Sequence, residues 1–149
     1  MSNSQSILVP LSNSPASLEA VRLAALIAKQ RKSRIYVLHV IEVLRSLPLT
    51  AEMEPEARRG EQLLRRAQEV AASVGAHISG ELIQARDAGQ AIVEEATERK
   101  NDLIVMSIGS QGPIVGAYDM SETVDFVLRH APCEVLLLRQ ALQRLEPHE

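Results

Sequence analysis

Asp102-Leu103-Ile104-Val105-Met106, followed by Ser107-Ile108-Gly109-Ser110-Gln111-Gly112-Pro113 and, farther on, Val135-Leu136-Leu137-Leu138-Arg139, is the part of the chain that decides the fold. The first run is short, apolar and bounded by a polar residue and a glycine-bearing loop, the pattern of a strand buried on both faces of a sheet. Ser107 and Ile108 read as the start of the loop. Gly109 and Gly112 permit close backbone approach, so successive N–H groups there can converge on an anion. A helix through Val124, Val127 and Leu128 then leads to a second apolar strand, Val135–Leu138. Strand, loop, helix and strand in that spacing make a parallel pair, and in such sheets ligands sit beyond the carboxyl ends of the strands.

Working outward, the rest of the chain repeats the same alternation. Ile7 to Leu11 is another wholly apolar run. Ser12-Asn13-Ser14-Pro15 ends it and opens a helix, with Ser14 as N-cap and Pro15 at the first helical position. Leu18, Val21, Arg22, Ala25, Leu26 and Lys29 share one helical periodicity, whose apolar members are expected to face the sheet, and the helix is expected to stop near Arg31-Lys32-Ser33. A second strand runs from Arg34 to Ile41. Pro48 and Pro55 frame a connection expected to be mobile or locally helical. A helix from Glu56 to Val74 follows, with Leu63, Leu64, Ala67, Val70, Ala71 and Val74 on its apolar side and Gly75 as terminator. His77 to Gln84 is a third strand and Ala88 to Lys100 a helix with Ile92, Val93 and Ala96 inward. The expected architecture is therefore α/β, a three-layer, doubly wound, parallel five-stranded sheet in one domain over residues 1–149, with a polar tail at 140–149.

Composition narrows the function. A formal charge of −3 and 2% aromatic residues leave neither a basic footprint nor a stacking platform for nucleic acid. No apolar run is long enough for membrane insertion, and Met1-Ser2-Asn3-Ser4-Gln5 is unlike a signal peptide, so a cytoplasmic location is expected. The single cysteine, Cys133, has no internal disulfide partner and reads as a small buried hydrophobe. Four histidines, His39, His77, His130 and His148, form no arrangement with a serine and an aspartate that would activate a nucleophile, and no metal site is expected. His39 could face the crevice but reads as a structural strand histidine. Asp119, Glu122 and Asp125 form a small acidic cluster that could hold a divalent cation together with phosphate oxygens, but read as acids favouring a helix N-terminus, so no metal is expected without nucleotide.

Ile7-Leu8-Val9-Pro10-Leu11 with Ser14-Pro15-Ala16-Ser17, then Asp102–Met106, Gly109-Ser110-Gln111-Gly112 and Val127-Leu128-Arg129-His130-Ala131-Pro132-Cys133-Glu134-Val135-Leu136 together resemble the universal stress protein family, in order and spacing, from about Ser6 to Arg139. The resemblance implies the adenine nucleotide alpha hydrolase-like fold with strand order 3-2-1-4-5. It also implies a switch point between the first and fourth strands, and a non-enzymatic regulatory role. It implies an adenine-nucleotide site built from Pro10, Leu11, Ser12, Ser14, Val40, Met106, Gly109, Ser110, Gly112, Ser121, Glu122 and Thr123. A homodimer joined through Val135, Leu136, Leu137 and Leu138 is implied too, with a regulated partner such as a transporter.

The family's ATP-binding members carry Gly-x-x-Gly, then nine positions on Gly-Ser or Gly-Thr, and an aspartate past the first strand. Gly109 and Gly112 match the first half, but the second falls on Glu122-Thr123, or on Ser121-Glu122 if aligned from the following helix, and Ser12 replaces the aspartate. A triphosphate about 4 Å from Glu122 would meet roughly 4 kcal/mol of repulsion per unit charge at an effective dielectric near 20. Val40 and Met106 keep an adenine-sized apolar pocket. Ser12-x-Ser14 is similar to the element of potassium sensor kinases that binds cyclic di-AMP. AMP or a cyclic dinucleotide is thus expected ahead of ATP, and the alternative is a ligand-free dimeric scaffold.

Overall fold

The computed structural model describes residues 5–108 and 122–140. The elements are β1 (Ser6–Leu11), α1 (Pro15–Arg31), β2 (Arg34–Glu42), α2 (Glu54–Ser73), β3 (Ile78–Ala85), α3 (Ala88–Arg99), β4 (Leu103–Ile108), α4 (Glu122–His130) and β5 (Glu134–Arg139). The strands form one sheet in the order β3-β2-β1-β4-β5, every neighbouring pair parallel. Parallel neighbours must be joined by crossovers, and the helices fall on both faces. One face buries Ile7, Val9, Val37 and Val105 against α1 and α2. The other buries Leu8, Leu38, Ile104 and Met106 against α3 and α4. β1, β2 and β4 are covered on both sides, which is why their sequences are continuous apolar runs.

Local chemistry sets the helix ends as expected. Ser14 Oγ accepts from Ala16 N–H at 3.2 Å, and Pro15 begins α1. The helix ends at Arg31 with Lys32 in the left-handed conformation, φ 55°, its N–H donating to Ala28 O. Gly75 follows α2 at φ 79°, a conformation glycine adopts without the steric penalty of a Cβ. Pro55 lies inside α2, which starts at Glu54, two residues before the expected start; a proline in the first turn removes no intrahelical bond.

Two expectations are corrected. Ser107 and Ile108 are strand, not loop: they continue β4, opposite Leu138 and Arg139 of β5. The buried face of α1 includes Val21 and Ala25, with Leu18 packed partly inward, as expected, but not Leu26. It is made of Ala16, Ser17, Ala20, Val21, Ala24, Ala25 and Ala28, while Leu26 is 41% exposed. α1 lies over the middle of the sheet and against α2, where small side chains let the backbones approach. The larger Leu26 turns instead to a surface groove beside β5, with Ile27, Leu103 and Leu136.

The connection from Val43 to Met53 is tethered by side chains from the β3 end of the sheet. Arg86 Nη1 donates to the carbonyls of Val43, Leu44 and Leu47. Gln84 Nε2 donates to those of Leu49 at 2.8 Å and Ala51 at 3.0 Å. Val43 is buried, but Leu44, Leu47 and Leu49 remain exposed, so beyond Val43 the segment is held by these donors rather than by burial. Arg86→Ala is expected to raise the rate of limited proteolysis within residues 43–53 severalfold with little change in global stability, because local opening governs cleavage there. Unchanged cleavage kinetics would show that the arginine is not what restrains the segment.

Candidate functional site

Beyond Leu8, β1 makes no further pairs with β4, although it pairs with β2 along its whole length. Pro10 brings no N–H to either ladder. The two strands therefore part toward their carboxyl ends, and a cleft of about 480 Å³ opens there, within the range of small-molecule sites. Its apolar walls include Leu38, Val40, Ile92, Met106 and Ile108.

The β1–α1 turn forms one rim and is built in advance. Ser17 is fully buried, and its Oγ lies 2.8 Å from both the Ser12 and Ser14 carbonyl oxygens. Ser12 Oγ accepts from Ser14 N–H at 3.3 Å, and Ser14 O accepts from Ser17 N–H at 3.0 Å. Such a web leaves the turn few alternative conformations. Behind it, His39 of β2 is 7% exposed and its Nδ1 is 3.0 Å from Leu11 O. A carbonyl only accepts, so Nδ1 carries the proton and Nε2 is the nitrogen left for other partners.

The opposite rim comes from β2, α2 and α3. Glu42 Oε2 accepts from Ala88 N–H at 2.9 Å, and Asp87 Oδ1 accepts from Gln90 N–H at 3.1 Å, so the N-terminus of α3 is already filled by carboxylates. Glu56 and Arg59 reach the cleft from the first turns of α2. Gly60 seats that helix. A Cβ added there would lie 2.5 Å from Leu82 Cδ2 and 2.8 Å from His39 Cδ2, so only a glycine allows α2 this close to the sheet.

Of the residues singled out from the sequence, Pro10, Leu11, Ser12, Ser14, Val40, Met106 and Thr123 line this cleft together. Gly109, Ser110, Gly112 and Ser121 lie outside the described residues. Glu122 is placed differently from the expectation: it is exposed at the start of α4 and is absent from the lining, whereas Thr123 beside it is present. Among the described residues, the charges that line the cleft are Glu42, Glu56 and Arg59. Sequence reasoning missed them because they come from strand and helix ends that only the fold brings together. Ser17 was also missed as the clamp of the turn, although a serine three residues after an N-cap serine is a readable signal. Among the described residues no group of three His, Cys, Asp or Glu side chains is arranged to hold a metal ion. Asp125 is engaged with Arg129 at 3.0 Å. Burial, with Asp102 and Glu134 nearby, pushes the Cys133 thiol up, which leaves it protonated and weakly nucleophilic at neutral pH.

The sequence model of the universal stress protein family matches residues 3–139. The chain belongs to that family. A universal stress protein of Methanocaldococcus jannaschii is 30% identical over 141 residues, covering 90% of this chain and 81% of that protein. Among solved structures, the universal stress protein of Archaeoglobus fulgidus in complex with dAMP superposes with a TM-score of 0.72 at 19% identity, covering 89% of this chain and 96% of the other. A universal stress protein in complex with cAMP gives 0.71 at 23% identity, covering 92% and 98%. At these identities the structural likeness establishes the shared universal stress protein fold. Among the described residues no helix is long and apolar enough to cross a membrane.

Proposed function

We propose that this universal stress protein is a non-enzymatic regulatory module that binds an adenine nucleotide of low charge, AMP or a cyclic dinucleotide ahead of ATP, where β1 and β4 part. The observation that carries this reading is the make-up of the cleft. Apolar walls of adenine size meet a serine turn held rigid by Ser17, while the charged lining among the described residues amounts to two carboxylates, Glu42 and Glu56, and one cation, Arg59. A triphosphate would gather about four negative charges against a lining with no excess of positive charge, and desolvating them there is costly. The A. fulgidus protein in complex with dAMP and the relative in complex with cAMP carry single-phosphate ligands, which fits the same reading.

The second part of the reading is a homodimer joined along β5. Among the described residues this strand is the edge of the sheet, with β4 on its inner side. Val135, Leu137 and Leu138 pack partly inward and Leu136 is 39% exposed beside the groove that holds Leu26. Regulation of a partner such as a transporter would then follow from what ligand binding presents at the cleft rim.

Titration calorimetry with AMP, cyclic di-AMP and ATP, with and without Mg²⁺, tests the ligand assignment. Saturable heat is expected for AMP or cyclic di-AMP, with ATP at least tenfold weaker. If no nucleotide gives saturable heat, the ligand assignment is lost and the ligand-free scaffold that dimerises through β5 is the surviving reading. Preferential binding of MgATP would reverse the proposed order.

A further inference from the structure

We infer that Arg59 of α2 is the residue that pairs with the ligand's phosphate and so makes the site selective for a single phosphate ester over the bare nucleoside. This inference rests on the nucleotide reading above. It starts from the charges at the cleft. Arg58 is held by Glu54 at 3.5 Å on the outer side of α2, but Arg59 makes no ion pair or hydrogen bond among the described residues, although it lines the cleft. Arg59 is also the sole lysine or arginine among the described lining residues. A guanidinium is the side chain best shaped for a phosphate, through two parallel N–H donors.

Contacts through the fold connect the support of this cation to that of the serine turn. Gly60, the next residue, is packed on the His39 ring, and His39 is bonded to Leu11 O, immediately before Ser12-Asn13-Ser14. Arg59 and the turn thus line the same cleft from its two rims, with the His39 ring between their supports. Among the described residues, two other places where an anion could settle, the N-termini of α3 and α1, are already engaged. Glu42 and Asp87 occupy the N-terminus of α3, and Ser14 Oγ engages Ala16 N–H at the start of α1. Glu56, one helical turn before Arg59, opposes a second or third phosphate on the same side. One cation flanked by carboxylates suits one phosphate.

The test compares adenosine, AMP and ATP on the full chain by calorimetry, for the parent protein, Arg59→Gln and Arg59→Lys. The parent is expected to bind AMP about tenfold tighter than adenosine, the scale of one charge-assisted contact. Arg59→Gln is expected to bring AMP down to the adenosine level, and an unfolding midpoint in urea equal to the parent's reports an intact fold. Arg59→Lys is expected to retain part of the preference, since the charge persists without the planar fork. Equal binding of adenosine and AMP by the parent, or a preference that survives in Arg59→Gln, overturns the assignment of Arg59 and leaves the nucleotide site standing. Failure of all three ligands to bind the parent removes both.

Discussion

Leu38→Ala is expected to lower the unfolding free energy by about 2–5 kcal/mol, the range for deleting a fully buried leucine side chain from a core that cannot close over the gap. Leu38 is 0% exposed and sits in the middle of β2, facing Leu8, Ile104 and Met106 in the layer under α3 and α4. Strands on either side of β2 hold its register through ladders with β1 and β3, so the backbone has little freedom to collapse into the void. The loss is a large share of the roughly 5–15 kcal/mol that separates a typical domain from its unfolded state. For a chain of this size it corresponds to a fall in Tm on the order of 10 °C. Leu38 also contributes to the floor of the cleft, so nucleotide binding should weaken with it. The same substitution at Leu44, 69% exposed, provides the control and is expected to change stability by less than about 0.5 kcal/mol. Urea unfolding of the two variants side by side decides the matter, and similar midpoints would mean that Leu38 is not in a packed interior.

The second large effect is expected at Gly60, where helix propensity and packing oppose each other. A glycine within a helix is destabilising by roughly 1 kcal/mol relative to alanine, so propensity alone recommends replacing it. The structure argues the reverse. A Cβ at position 60 would meet Leu82 Cδ2 at 2.5 Å and His39 Cδ2 at 2.8 Å. The leucine methyl can swing aside. The imidazole is less free, because its Nδ1 is tied to Leu11 O at 3.0 Å. Gly60→Val, which adds a branched side chain at this contact, is expected to cost about 1–3 kcal/mol through overpacking. It should also displace the first turns of α2, with Glu56 and Arg59, from the cleft. The expected signature is a combined loss of stability and of the AMP preference over adenosine. Gly60→Ala should fall between the two, as its helix gain offsets part of the clash. Stability of Gly60→Val at or above that of the parent would show that α2 does not rest on His39 as described.

The extent to which this fold was legible from the chain varies by element and by cause. Ile7–Leu11 and Leu103–Met106 could be recognised as central strands because burial on both faces leaves a continuous apolar run. Ser14-Pro15 marked the start of α1 because a capping hydroxyl and a preset φ act locally. The face of α1 is legible at Val21 and Ala25 but not at Leu26, for an equally definite reason. Leu26 outranks Ala24 in hydrophobicity, but a helix squeezed between the sheet and α2 selects for small size, and Leu26 is displaced to the groove beside β5. Ser107 and Ile108 were read as loop because a serine and a following glycine resemble an exit from a strand, whereas β5 offers pairing partners that extend β4 through Ile108.

By itself, the amino-acid sequence determined the alternation of strands and helices, the capped start of α1, the glycine-marked end of α2, and, through its motifs, membership of the universal stress protein family. These depend on interactions within a few residues or on patterns shared along the whole chain. Only the tertiary structure decided which charges meet at the cleft. Glu42, Glu56, Arg59 and Ala88 lie on three different elements, and nothing local to any of them records that β1 and β4 part just where α2 settles on His39. Electrostatic character at a site is a sum over neighbours in space, and neighbours in space are what a linear pattern of hydrophobic and polar residues leaves unspecified.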